Sequence, residues 1–193
     1  MSAYAVVVEG LDSLDDLKDI EAQALRAARM AINKAARHAR AVADRAIRER
    51  ISFPARYLSG KSGRLSVSRQ ATNTKLEAAI TGRDRPTSLA RFASSRNPKA
   101  RRGKGVQVEV RPGSKVTLHR AFLMPLKNGN LGLAVRSAER PSAAYAPKQI
   151  RGSNIWLLYG PSVDQVFKAV SREDAAPAAM DLLEREFYRL LKL

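Results

Sequence analysis

The chain has no cysteine. That excludes disulfides, thiolate nucleophiles and most structural zinc sites. Aromatic residues make up only 6% of it, with a single tryptophan, and they are not interleaved with the basic segments. Stacking on single-stranded bases is therefore disfavoured. No segment approaches the 18 or so consecutive apolar residues of a membrane span, so no membrane partner is expected. The opening "MSAYAVVVEGLD" lacks the basic n-region of a signal peptide. Acidic residues are also scarce: 18 stand against 35 Lys and Arg, a formal charge of +17 at pH 7. Such a balance calls for a polyanionic partner or for acidic protein surfaces beside it.

What is present suits one domain spanning residues 1–193, since hydrophobic residues at 45% are enough for a core. Ala5 to Val8 reads as a short strand. A helical pattern follows from about Ser13 to Arg50, with Asp12 or Ser13 as its cap. Asp15, Asp16, Asp19 and Glu21 crowd its first turns and arginines its last, a polarity that suits the helix dipole. Drawn as one straight rod of about 38 residues, it would be roughly 57 Å long. Many of its inward positions are alanine. Ala28, Ala35, Ala39, Ala43 and Ala46 form a close-approach stripe, read here as a surface for packing against a second copy.

Pro54 ends the helix, and strands are expected through Leu65 and Val67 and through Leu76, Ala78 and Ile80. A hairpin turns at Pro112-Gly113 and a second at Asn128-Gly129. Residues 137–153 read as loose. Ile155 to Tyr159 is a strand that meets a Gly160-Pro161 turn, and Ser162 then caps a helix with Gln165 three residues on. A last helix from about Glu173 to Lys192 carries Met180, Leu183, Phe187, Leu190 and Leu191 on one stripe. The order predicts α+β: a long N-terminal helix and C-terminal helices on a small antiparallel sheet, with an extended basic loop.

That loop, about residues 94–105, holds Arg96, Lys99, Arg101, Arg102 and Lys104 and almost no apolar side chain. Between Arg85 and Arg120 ten Lys or Arg face one acid, Glu109. The loop can contact DNA phosphates without sequence preference or dock on an acidic protein neighbour. Nothing points to catalysis. His38 and His119 have no acid at metal-ligand spacing, "YGPSVDQ" lacks the flanking glycines of a nucleophile elbow, and no strand feeds "RRGKG" as a phosphate loop. No enzyme activity, metal or cofactor is expected.

Several stretches, in order, resemble one family. They are "VEGLDSLDDL", "AARMAINKAARHAR", "LEAAITGRDRPTSLARF", "AFLMPLKNGNLGLAVR" and "LYGPSVDQVF" ahead of an amphipathic C-terminal helix. Together they are similar to the minor tail protein Z family of lambda-like siphophages and prophages. The resemblance implies a virion structural protein made in the bacterial host cytoplasm. It would sit at the neck end of a long non-contractile tail, completing tails so that they can join heads. It implies a ring-shaped homo-oligomer, hexameric to match the tail. Its neighbours would be tail terminator and tail tube proteins, head–tail connector proteins and phage DNA bound without sequence specificity. A rival from another class is a basic nucleic-acid-binding protein of the ribosome-associated type, which composition suits equally.

Overall fold

The computed structural model describes residues 22–95, 97, 105–141 and 146–191. About 40% of the described residues are helix and 28% strand, and every strand pairing among them is antiparallel. The fold is α+β. The expected strand at 5–8 and the helix start at 13–21 lie outside the described residues. The chain divides into two compact units.

The first unit holds residues 1–47, 58–83 and 164–193. Its long helix, α1, runs Ala22–Arg50. Small side chains line its inner face, and Ala31, Ile32, Ala35, Ala36, Ala39 and Ala43 are each 3% exposed or less. Alanine has high helix propensity and little bulk, so backbone can approach closely. Strands β1 (Leu65–Arg69) and β2 (Ala79–Gly82) use that space. They pair with Leu65 opposite Gly82 and Val67 opposite Ile80, with an irregularity between Val67 and Arg69. Ile32 and Ala36 of the helix join Ala71 and Ala78 in one buried cluster, against which Val67, Leu76 and Leu183 pack.

Polar side chains on the same helix fix the path of the 58–71 segment. Arg40 donates from Nε to the Leu65 carbonyl at 3.0 Å and from Nη2 to the Leu58 carbonyl at 2.6 Å. Asp44 pairs with the same guanidinium at 3.3 Å. Two backbone carbonyls, one before β1 and one at its start, are thereby satisfied by a charged donor, the stronger kind of hydrogen bond.

The C-terminal helices are α2 (Val163–Val170) and α3 (Ala176–Leu191), joined by a π-helical turn at Ser171–Ala175. Ser162, buried at 1%, precedes the first helical residue as expected of an N-cap. Pro177 sits in the first turn of α3 and has no N–H to donate. The wider turn lies just before it, with the Ala176 N–H bonded to the Ser171 carbonyl. Such single π turns accommodate an interrupted ladder. Asp164, 2% exposed, pairs with Lys168 one turn on at 2.9 Å.

The second unit holds residues 48–57 and 84–163. Its main sheet contains β3 (Thr87–Ser88), β6 (Ala121–Pro125), β7 (Leu131–Arg136), β8 (Ala146–Gln149) and β9 (Ile155–Gly160). Trp156 and Leu157 pair with both β7 and β8, and Tyr159 with both β3 and β8. So β8 lies along one edge of β9, while β7 and β3 follow one another along the other. β6 and β7 form the hairpin expected at Asn128-Gly129, where Gly129 has φ +75° and Asn128 Oδ1 accepts the Asn130 N–H at 3.1 Å. A separate hairpin of β4 (Val106–Arg111) and β5 (Ser114–Leu118) turns at Pro112-Gly113.

The expected loose segment contains a strand, β8. Its pattern is exposed at three of four positions and it carries Pro147. A polar edge strand leaves no apolar alternation to read. Leu89 and Phe92 are buried in a 3₁₀ turn, Leu89–Phe92. Phe53 stacks on Tyr57 with ring centres 5.2 Å apart and lies 5.6 Å from Phe92. Gly160 belongs here because a Cβ would come within 3.0 Å of Leu89 Cδ2. The Gly-Pro step is thus a structural joint between β9 and α2.

Candidate interaction surfaces

The base of the basic loop is well formed. Ala93 bridges Val108, and the Ser94 N–H donates to the Gln107 carbonyl at 3.0 Å. Gly105 hands the chain back into β4 with φ +75°. The two ends of the segment are therefore held side by side at the start of the β4–β5 hairpin. Arg96, Lys99, Arg101, Arg102 and Lys104 themselves lie outside the described residues. Near this base, the Arg91 guanidinium lies 5.2 Å from the centre of the Tyr57 ring, an arrangement that leaves the ring buried and the cation half-exposed.

The alanine stripe has a different placement. Ala28 is 4% exposed, Ala35 and Ala43 0%, Ala39 1% and Ala46 8%. All five lie inside the single chain. Within the single chain the close approach they permit is occupied by the chain's own packing.

Apolar surface is open elsewhere on the first unit. On α3 the buried residues are Ala179 and Glu186, not the leucines. Met180 and Leu191 of the expected stripe are 43% and 44% exposed, and Leu183, Phe187 and Leu190 are half-buried. With Ala28 and Ile32 of α1, Leu183 and Phe187 line a groove of about 340 Å³ that Asp181 and Glu184 also border. Glu186 beside it is held by Lys34 Nζ at 2.6 Å and Arg189 Nη2 at 3.0 Å. Hydrogen bonding to Lys34 first, and then to Arg189, lowers the Glu186 pKa against the opposing effect of desolvation.

Neither histidine belongs to a cluster. His38 lies on the exposed side of α1 and His119 on the exposed turn after β5. Among the described residues no group of three or more His, Asp or Glu could hold a metal ion, and no helix is long and apolar enough to cross a membrane. The arrangement offers charged and apolar surfaces for binding. It brings no nucleophile, base and anion-stabilising donor together among those residues.

Comparison with known proteins gives one assignment. No curated protein and no solved structure matches the chain. The family model described as prophage minor tail protein Z (GPZ) matches residues 8–191, which takes in both units, the basic segment and all three helices. The chain therefore belongs to the prophage minor tail protein Z family and is a phage tail structural protein.

Proposed function

We propose that this protein completes the head-proximal end of a long non-contractile phage tail, so that the tail can be joined to a head. The two compact units act together as one tail-completion domain in a ring-shaped homo-oligomer, hexameric to match the tail. Its neighbours are the tail terminator, tail tube and head–tail connector proteins. It performs no chemistry of its own. The observation that carries this reading is the family match across residues 8–191. The net charge of +17 supports it, because the neck is where a tail protein meets DNA or an acidic ring. The half-open stripe of α3, with Met180, Tyr188 and Leu191 each more than 40% exposed, supports association through that helix instead of through the buried alanines.

In this reading Arg96, Lys99, Arg101, Arg102 and Lys104 meet DNA phosphates or an acidic protein face. The test is genetic. Phage lacking the gene should yield full heads and tails that fail to form infectious particles, and supplying the protein in trans should restore joining. Supplying a form with the five basic residues changed to Gln should restore it poorly. Normal infectious yield without the protein would reject the reading.

A further inference from the structure

The basic loop is not the only strongly cationic feature. α1 carries seven arginines and one lysine against Asp44 and Glu49. Its inner face is spent on the alanine core, so most of these charges are turned outward. Arg26, Arg37 and Arg45 are exposed. At 100° per residue they fall within about a 100° arc of the helix. They make no ion pair among the described residues. Of the charges around them, Lys34 is held by Glu186, Arg40 points inward to Leu58 and Leu65, and Asp44 is engaged by Arg40, while Glu49 is an exposed acid one turn beyond Arg45.

We propose that the outer face of α1 is a track for the phosphate backbone of duplex DNA, bound without regard to sequence. The proposal rests on the reading that this tail protein contacts DNA, and it moves that contact to a rigid element. Three features select a duplex. The first is length. Arg26 to Arg45 spans roughly 29 Å at 1.5 Å per residue, a little under one ~34 Å helical turn of DNA. The steps are roughly 17 Å and 12 Å, on the scale of the ~12 Å major groove. Successive guanidiniums thus meet phosphates on either side of a groove.

The second feature is chemistry. The three cations are all arginine, whose planar fork matches a phosphate with two parallel hydrogen bonds. The third is what the face lacks. It has no Phe, Tyr or Trp on which an unpaired base could stack, and its only ring is the single imidazole of His38 beside Arg37. Among its described side chains the exposed apolar residues are Met30 and Ala41, too few for the desolvated centre of a protein interface. A row of cations along one helix without an apolar centre suits backbone binding, which is electrostatic and indifferent to sequence.

The test is equilibrium binding of the full-length protein to fluorescent 30-base-pair duplexes of two unrelated sequences, followed by anisotropy from 50 to 300 mM salt. Three variants are compared with the natural chain. One is Arg26→Gln/Arg37→Gln/Arg45→Gln. A second removes the same charge from exposed sites elsewhere, Arg111→Gln/Lys115→Gln/Arg151→Gln. The third changes the five basic residues of residues 96–104 to Gln. The α1 variant should keep the natural melting temperature, since its three side chains are exposed. It should flatten the log–log salt slope by up to about 2.7 units, at about 0.9 for each phosphate no longer neutralised. Both sequences should respond equally, and the charge-matched control should flatten by less than one unit.

Equal flattening in the α1 variant and the control would overturn the proposal, because binding would then follow net charge alone. So would competition by poly-glutamate as effective, charge for charge, as unlabelled duplex. Weakened binding only in the loop variant would take α1 out of the interface while leaving DNA binding by this protein intact. A natural chain with no measurable duplex affinity at 50 mM salt would reject both.

Discussion

The side chain of Asn33 pairs with the backbone of Ala71 as one peptide group pairs with another. Its Nδ2 donates to the Ala71 carbonyl at 3.0 Å, and its Oδ1 accepts the Ala71 N–H at 2.9 Å. A half-buried amide in the middle of α1 thus takes both backbone groups of a residue 38 positions away and ties the turn after β1 to the helix. Ala71 is 4% exposed, so water is a poor substitute for either bond. Asn33→Ala should cost about 1–3 kcal/mol, the range for stranding a buried polar group. Asn33→Asp should cost a similar amount, because the Ala71 carbonyl would lose its donor and face a carboxylate. Urea unfolding of the three proteins measures this, and an Asn33→Ala midpoint equal to the natural one would show that the pairing is replaced at no cost.

Glu186 gives a pH dependence with a definite sign. Its folded pKa is lowered, chiefly by hydrogen bonding to Lys34 and Arg189. The contribution of the ionised pair is therefore fully present above the ordinary glutamate value of about 4.3. It is lost as the pH falls through the depressed folded value. Glu186→Gln should lower the melting temperature at neutral pH, and its difference from the natural chain should shrink progressively below about pH 4.3. A difference that stays constant into strong acid would mean that Glu186 acts by packing alone.

Gly105 and Gly113 have almost the same backbone, φ +75° and +76°, in very different surroundings. A Cβ at Gly105 would lie 2.4 Å from the Leu118 carbonyl oxygen and 2.6 Å from His119 Cα, whereas one at Gly113 meets nothing within 4 Å. Gly113→Ala should cost only the left-handed penalty of about 1–2 kcal/mol. Gly105→Ala should cost about 1–3 kcal/mol more, since the obstructing atoms are backbone and cannot rotate away. Equal melting temperatures for the two variants would show that the β4–β5 hairpin shifts freely at its base.

Trp156 is half-buried in β9, and its indole N–H donates to the Ser137 carbonyl at 3.1 Å. Trp156→Phe should cost about 0.5–1.5 kcal/mol, the net worth of one hydrogen bond. Trp156→Ala should cost less than the ~3–5 kcal/mol of a fully buried aromatic. Thermal unfolding of both variants separates the bond from the packing, and a Phe variant as damaged as the Ala variant would put the whole effect in the bond.

Where the sequence carries a local rule, structure and sequence agree. The helical period over 22–50, the turns at Pro112-Gly113 and Asn128-Gly129 and the cap position of Ser162 all rest on backbone chemistry that a single residue type enforces. The alanine stripe is legible as a close-approach surface, but what approaches it is not. Alanine fits a neighbouring element and a second copy equally well, and only the fold shows the five side chains inside the chain. β8 is invisible in the sequence because an exposed edge strand buries almost nothing. The long-range polar ties of Asn33 and Arg40 are also hidden, since each joins residues 18 to 38 positions apart with no spacing rule. The arginines of α1 are visible as charge. That three of them form an outward row, without an ion pair among the described residues, emerges only once the inner face is known.

The central claim is a place in the particle, and a reconstruction of the intact virion at side-chain detail tests it most directly. The account predicts a ring of copies of this chain at the head-proximal end of the tail, with the alanine face of α1 packed inside each subunit. It predicts that the row of Arg26, Arg37 and Arg45 faces DNA. Density for this chain only at the distal tip, or none in the finished particle, would contradict it.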